Sequence, residues 1–127
     1  MASNNGLKRD EVKYIRDKAK ARYPHGTECA ICGSKENLEL HHYNSLTLLW
    51  ERWKKNNAIS ISSTDDVLFH RDSFILEHEV ELYQDVVTLC LKHHQGLHSV
   101  YGVKPMLHTA KKQANWVLVQ HDKFNKG

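Results

Sequence analysis

Two short cysteine motifs in this chain share one spacing. Cys29-x-x-Cys32 and Cys90-x-x-His93 each leave two residues between their ends. That gap lets both side chains of a knuckle reach one ion. Two such knuckles supply the four nitrogen and sulfur ligands that tetrahedral zinc requires. The ion would then tie an N-terminal segment to a C-terminal one, which benefits a domain with a modest core. His94, next to His93, is an alternative fourth ligand. Three free buried cysteines, or a redox CxxC, are the plain alternatives.

A second constellation pairs His41-His42 with His94-x-x-x-His98. Residues i and i+4 share one face of a helix, so His94 and His98 can grip a single ion. A strand histidine, His41 or His42, can add a third ligand. Three protein ligands leave positions open for water and substrate, as in a catalytic metal site. Successive strand residues point to opposite sides, so the pair is expected to divide its labour between ligand and base. Three imidazoles suit Mn, Ni, Co or Zn better than Mg, although availability also decides the ion used.

The elements that must position these residues follow from the local pattern. Leu7, Val12, Ile15 and Ala19 recur at helical spacing, which predicts a helix over 7–22, stopped by Pro24 and Gly26. Residues 27–33 form a tight knuckle, and 37–43 a strand ending in the two histidines. Leu46, Leu49, Trp50 and Trp53 make one stripe, which predicts a helix over 46–57 and reads as core. Residues 58–73 read as loop. From Leu76 the chain alternates, which predicts a strand over 74–83 with Glu77, Glu79 and Glu81 on its outer face. A second strand over 85–90, a short helix ending at Gly102, and a last helix from Pro105 to about residue 121 complete the chain.

Histidine is over-represented, at ten of 127 residues, while the net charge is only +3. That charge is unevenly laid out. Residues 1–24 carry seven Lys or Arg against three acids, and residues 92–127 six against one; the middle is acidic. Basic flanks of this kind suit a polyanion such as nucleic acid. The start, MASNNGLKRDEVK, has no apolar core of a secretory signal, and no run approaches a membrane span. A cytoplasmic protein with reduced thiols and no membrane partner is therefore expected.

The order CxxC, then LHH, then DVVTLCxxHHxxLH resembles the HNH endonucleases. The resemblance covers roughly residues 27–101 and is carried by residues 29–42 and 85–98. It implies an α+β fold with a ββα-metal core, structural zinc knuckles, flanking helices and an inserted segment. A single domain over 1–127 would comprise a basic helix (1–26), the core (27–101, insertion about 44–84) and a C-terminal helix (102–127). The implied roles are His41, His94 and His98 as ligands of one catalytic divalent metal and His42 as general base. Cys29, Cys32, Cys90 and His93 would hold structural zinc. The implied reaction is hydrolysis of DNA to 5′-phosphate and 3′-hydroxyl ends. The family's middle Asn falls at Asp85, which accepts hydrogen bonds but cannot donate when ionised. Asp85 is expected to orient His42, with Asn44 as another tie for the loop.

DNA contact is expected from Lys8, Arg9, Lys13, Arg16, Lys20 and Arg22 on the first helix and from Lys111 and Lys112. Such phosphate contacts position DNA without reading its sequence. The insertion is read as setting substrate choice or pairing in a homodimer. Two other classes compete. One is a non-catalytic, zinc-stabilised DNA-binding module, suggested by Asp85. The other is a protein-interaction domain using the Glu77–Glu81 face and the Trp helix.

Overall fold

The computed structural model describes residues 4–126, with side chains described from residue 11 onward, so the side chains of Leu7, Lys8 and Arg9 lie outside it. Helix α1 (Asn4–Ala19) runs into a 3-10 turn at Lys20–Arg22. Tyr23 then turns extended (φ −64°, ψ 133°), as a residue before proline must. Strand β1 (Leu38–His42) pairs antiparallel with β2 (Val86–Cys90), Leu38 opposite Cys90 and His42 opposite Val86. Between them come α2 (Leu46–Asn56), α3 (Thr64–Glu77) and α4 (Glu79–Tyr83). Helix α5 (Leu91–Tyr101) leaves β2 directly, and a 3-10 turn at Leu107–Thr109 leads into α6 (Ala110–Lys126).

The chain is thus mixed helix and strand, with two hydrophobic cores. One is helical: Val12, Ile15 and Ala19 of α1 pack with Leu49, Trp50 and Trp53 of α2, Val67, Phe74 and Ile75 of α3, and Leu82 of α4. The other surrounds the cysteine knuckle, with Ile31, Leu89, Leu97 and Val117. A buried charge joins α1 to α2. Glu11, 2% exposed, accepts from Trp50 Nε1 (3.1 Å) and from Lys54 Nζ (2.9 Å). Pairing of this kind is what makes a buried carboxylate tolerable.

Three expectations are corrected here. Residues 64–77, read partly as loop and partly as strand, are helix α3, and 79–83 are helix α4. The buried stripe is Phe74, His78 and Leu82, at i, i+4 and i+8. Leu76 and Val80, placed on the core face by the alternation, are 70% and 48% exposed. Capping explains the outcome. The Ser63 hydroxyl accepts from Asp66 N–H, and Asp65 and Asp66 sit in the first turn, where the helix dipole favours them. Glu77, Glu79 and Glu81 therefore do not line up on one strand face: Glu77 accepts from Trp53 Nε1 (3.0 Å), and Glu79 pairs with Arg22. Lastly, α6 starts at Ala110 rather than Pro105, and Met106 is exposed.

Phe74 is fully buried, edge-on to Trp50 at 5.1 Å and tilted against His78 at 4.3 Å. Phe74→Ala is expected to cost about 3–5 kcal/mol of stability, read from the midpoint of urea unfolding. A cost below about 1 kcal/mol would mean that the helical core collapses around the gap.

Candidate active site

The first cluster gathers Cys29, Cys32, Cys90 and His93, whose ligand atoms all lie within 4.8 Å of one another. Local hydrogen bonds shape it. Gly33 N–H donates to the Cys29 carbonyl (2.9 Å), and Gly33 takes a left-handed φ of 75°, closing the knuckle. Ala30 N–H donates to the Thr88 carbonyl (2.9 Å), pinning the knuckle to β2. Ile31 N–H points at Cys29 Sγ (3.4 Å), a contact that favours thiolate. Cys32 Sγ and Cys90 Sγ are 3.8 Å apart. Zinc–sulfur bonds of about 2.3 Å at tetrahedral angles put two sulfurs about 3.8 Å apart, whereas a disulfide needs about 2.05 Å. Cys90 Sγ and Cys29 Sγ lie 3.3 and 3.8 Å from His93 Nδ1. The donor set and spacing fit a zinc ion.

The second cluster gathers His41, His94 and His98. His41 is 3% exposed. Its Nδ1 faces His94 Nε2 at 3.1 Å, which in turn faces His98 Nε2 at 3.0 Å. The outer nitrogens settle where the protons are. Gln113 donates its Nε2 to the Tyr43 carbonyl and to Thr109 Oγ1, both at 3.0 Å, so its Oε1 is the atom facing His41 Nε2 (2.7 Å). Glu39 Oε1 accepts from His94 Nδ1 (2.7 Å), and the Gly102 carbonyl accepts from His98 Nδ1 (2.7 Å). With each outer nitrogen protonated, three bare lone pairs converge. They repel unless a cation lies between them, and bound at about 2.05 Å they would sit about 3.3 Å apart. Burial, outweighing the Gln113 bond, pushes the His41 pKa down to about 4 and keeps the ring neutral.

His42 points the other way. Its Nε2–H donates to the Leu82 carbonyl (3.1 Å), leaving Nδ1 as an acceptor. Burial, reinforced by nearby Arg16, lowers its pKa from the usual 6.5 against the opposing Leu82 bond. His41, His42, His94 and His98 all line one cavity of about 240 Å³, together with Arg16, Tyr23, Val103 and Pro105. A larger hollow between Tyr101, Lys111, Lys112 and Trp116 brings no such set together.

Asp85 does not take the place expected of it. Its side chain is exposed, and no hydrogen bond joins it to His42 among the described residues. Its backbone carbonyl instead accepts from Tyr43 N–H (3.1 Å), which ties the loop without the Asn44 side chain. Orientation of His42 falls to Leu82. Sequence reasoning also missed Glu39 and Gln113. Glu39 shares a strand face with His41, two residues on, and Gln113 is a polar residue on the buried stripe of α6. Both positions carried a readable signal.

Among the basic residues, Arg16 lines the cavity and Lys13, Lys111 and Lys112 are exposed. Lys20 pairs with Asp17 (3.5 Å). Arg22 is committed elsewhere: it bonds both oxygens of Glu79 (3.0 and 2.9 Å) and lies over the Tyr83 ring. The Lys8 and Arg9 side chains lie outside the described residues.

Two groups of Cys and His that could hold metal ions, one of them in a cavity lined by a further histidine and an arginine, describe a candidate metal centre of catalytic type. The whole chain, residues 1–127, matches the family model of the phage T5 nicking endonucleases, a nicking endonuclease family, and the chain belongs to that family. It is accordingly an endonuclease with DNA as its substrate. No solved structure matches it. No helix among the described residues is long and apolar enough to cross a membrane.

Proposed function

We propose that this chain is a metal-dependent DNA endonuclease of the HNH type, with β1, β2 and α5 as its ββα-metal core and residues 1–127 as one domain. The carrying observation is the convergence of three imidazole nitrogens, each ring held at its outer nitrogen by an acceptor, beside a fourth imidazole whose Nε2 is bonded to the Leu82 carbonyl. Cys29, Cys32, Cys90 and His93 hold structural zinc. His41, His94 and His98 hold one divalent ion, from among Mn, Ni, Co, Zn and Mg.

In the reaction, His42 Nδ1 accepts a proton from the water that attacks phosphorus in line with the leaving 3′ oxygen. The divalent ion, when bound, supplies positive charge against the phosphate oxygens. Glu39, Gln113 and the Gly102 carbonyl hold the three ligand rings at their outer nitrogens. Arg16 brings a positive charge into the same cavity, and Lys13, Lys111 and Lys112 grip the backbone beyond it. The leaving 3′ oxygen takes a proton from solvent, so the products are a 5′-phosphate and a 3′-hydroxyl. A purely DNA-binding module would leave the histidine cluster without a role, and the strand face that a protein-interaction domain would use is not formed, because residues 64–77 and 79–83 are helical.

Metal content and plasmid nicking, measured together, test this reading. His98→Ala is expected to keep one tightly held zinc. Its cleavage should fall by more than the roughly 10–100-fold that loss of an outer partner costs. Wild-type protein that holds one zinc and cuts under no divalent metal would overturn the catalytic reading.

A further inference from the structure

The His42 ring is held through Nε2 by one hydrogen bond, to the Leu82 carbonyl. A single bond of this kind leaves a ring free to swing about it. A second contact comes from Tyr23, which stands edge-on to His42 with ring centroids 4.7 Å apart and planes at 61°. Alone among residues 20–28 before the buried Cys29, Tyr23 is not exposed. It lines the same cavity as His42.

Tyr23 is itself held from three directions. Pro24 restricts its backbone to the extended region it occupies. The Tyr83 ring tilts against it at 5.8 Å, and the Tyr83 hydroxyl is anchored on the Ala19 carbonyl (3.1 Å). Arg22, next to Tyr23 in the chain, lies over the far partner, 4.4 Å from the Tyr83 centroid, and is fixed there by two bonds to Glu79. Consecutive residues of α4 thus both reach His42: Leu82 through its carbonyl, Tyr83 through Tyr23.

We propose that Tyr23 is a positioning residue for His42, held in place by the Glu79–Arg22–Tyr83 clamp. This rests on the reading of His42 as general base. The α2–α4 insertion and the turn that follows α1 thereby do together what a side chain at position 85 does not. The contact is between the two rings, and no hydrogen bond joins the Tyr23 hydroxyl to His42 among the described residues, so the hydroxyl is dispensable to it.

The test combines single-turnover cleavage of end-labelled duplex with long-range ¹H–¹⁵N spectra of histidine-labelled protein. Tyr23→Ala is expected to lower kcat about 10²-fold, the size expected of a misplaced reacting group, with KM nearly unchanged. Tyr23→Phe should match wild type. In a His42→Ala background, Tyr23→Ala should cost nothing more, because residues that act as a unit are not additive. The spectra should show His42 protonated at Nε2 alone in wild type and averaging over both nitrogens in Tyr23→Ala.

Three outcomes overturn the proposal. One is a Tyr23→Ala loss that persists without His42, since Tyr23 would then act on fold or DNA. Another is a Tyr23→Phe loss as large as that of Tyr23→Ala, since the hydroxyl would then touch the substrate. The third is an unchanged His42 spectrum in Tyr23→Ala. Wild-type protein that cuts nothing, yet loses the single His42 tautomer in Tyr23→Ala, sinks the general base and leaves the positioning intact.

Discussion

Cys90→Ser is expected to yield a chain that holds no tight zinc and shows no cooperative thermal unfolding. Cys90 ends β2, opens α5 and sits 7% exposed in the second core. That core has few large side chains: Ile31, Leu89, Leu97 and Val117, with Trp116 packed on its edge. Structural zinc contributes apparent binding energies of about 10–16 kcal/mol, comparable to the whole stability of a small domain at about 5–15 kcal/mol. A hydroxyl in place of the thiolate removes a ligand and leaves Cys32 without its partner 3.8 Å away. Mass spectrometry of the intact protein and near-ultraviolet circular dichroism read the two effects. A variant that keeps one zinc and melts within a few degrees of wild type would remove Cys90 from the ligand set.

His42→Ala is expected to lower cleavage by about 10²–10⁴-fold, the usual worth of a general base, while DNA affinity and melting temperature stay close to wild type. The pH profile makes the assignment sharper. The base works only when neutral. Burial first, and Arg16 next, lower the His42 pKa below 6.5, so its proton leaves at a lower pH and the neutral form persists further into acid. The plateau of kcat should therefore extend below pH 6.5 and fall only as pH drops through the lowered value. His41, pushed down to about 4 by burial, titrates well below the usual range for histidine. The limb assigned to His42 should vanish in His42→Ala. A variant that cuts at the wild-type rate, or keeps the same acid limb, would end the assignment.

The groupings legible in the sequence were those set by short spacings. Two CxxC-like knuckles meet at one point, and i, i+4 histidines on α5 face a strand histidine, because two- and four-residue gaps have nearly fixed geometry. The split between His41 and His42 followed from strand alternation in the same way. What was illegible depends on partners far along the chain. Leu82 acts through a backbone carbonyl, which no side-chain motif marks. Tyr23 reaches His42 only because Pro24 and Tyr83 hold it there. The strand expected over 74–83 failed for a different reason: Leu76, Val80 and Leu82, with His78 between them, matched period two, while the deciding helix cap at Ser63 lay eleven residues before the segment. Gln113 and Glu39 lie on readable faces, but no motif marks them, because their partners are outer nitrogens of histidines 72 and 55 residues away.

Cys90 at the end of β2 and His93 on α5 face the knuckle, while His94 and His98 on α5 face the cavity. Each residue added to a helix turns everything beyond it by about 100°. One insertion or deletion between Cys90 and His98 would therefore swing one ligand pair out of line with the other, and both centres could not survive it together. The connection from Tyr43 to Asp85 does not link the two clusters in this way, because its ends are fixed by the strand ladder and by one backbone bond; the same phase rule holds only within α2 and α3, whose buried stripes fill the helical core. Tolerance to changes in length is thus sharply divided along this chain: a rigid gauge of nine residues, and a span several times longer that can grow or shrink only between its helices, where it packs neither the helical core nor His42.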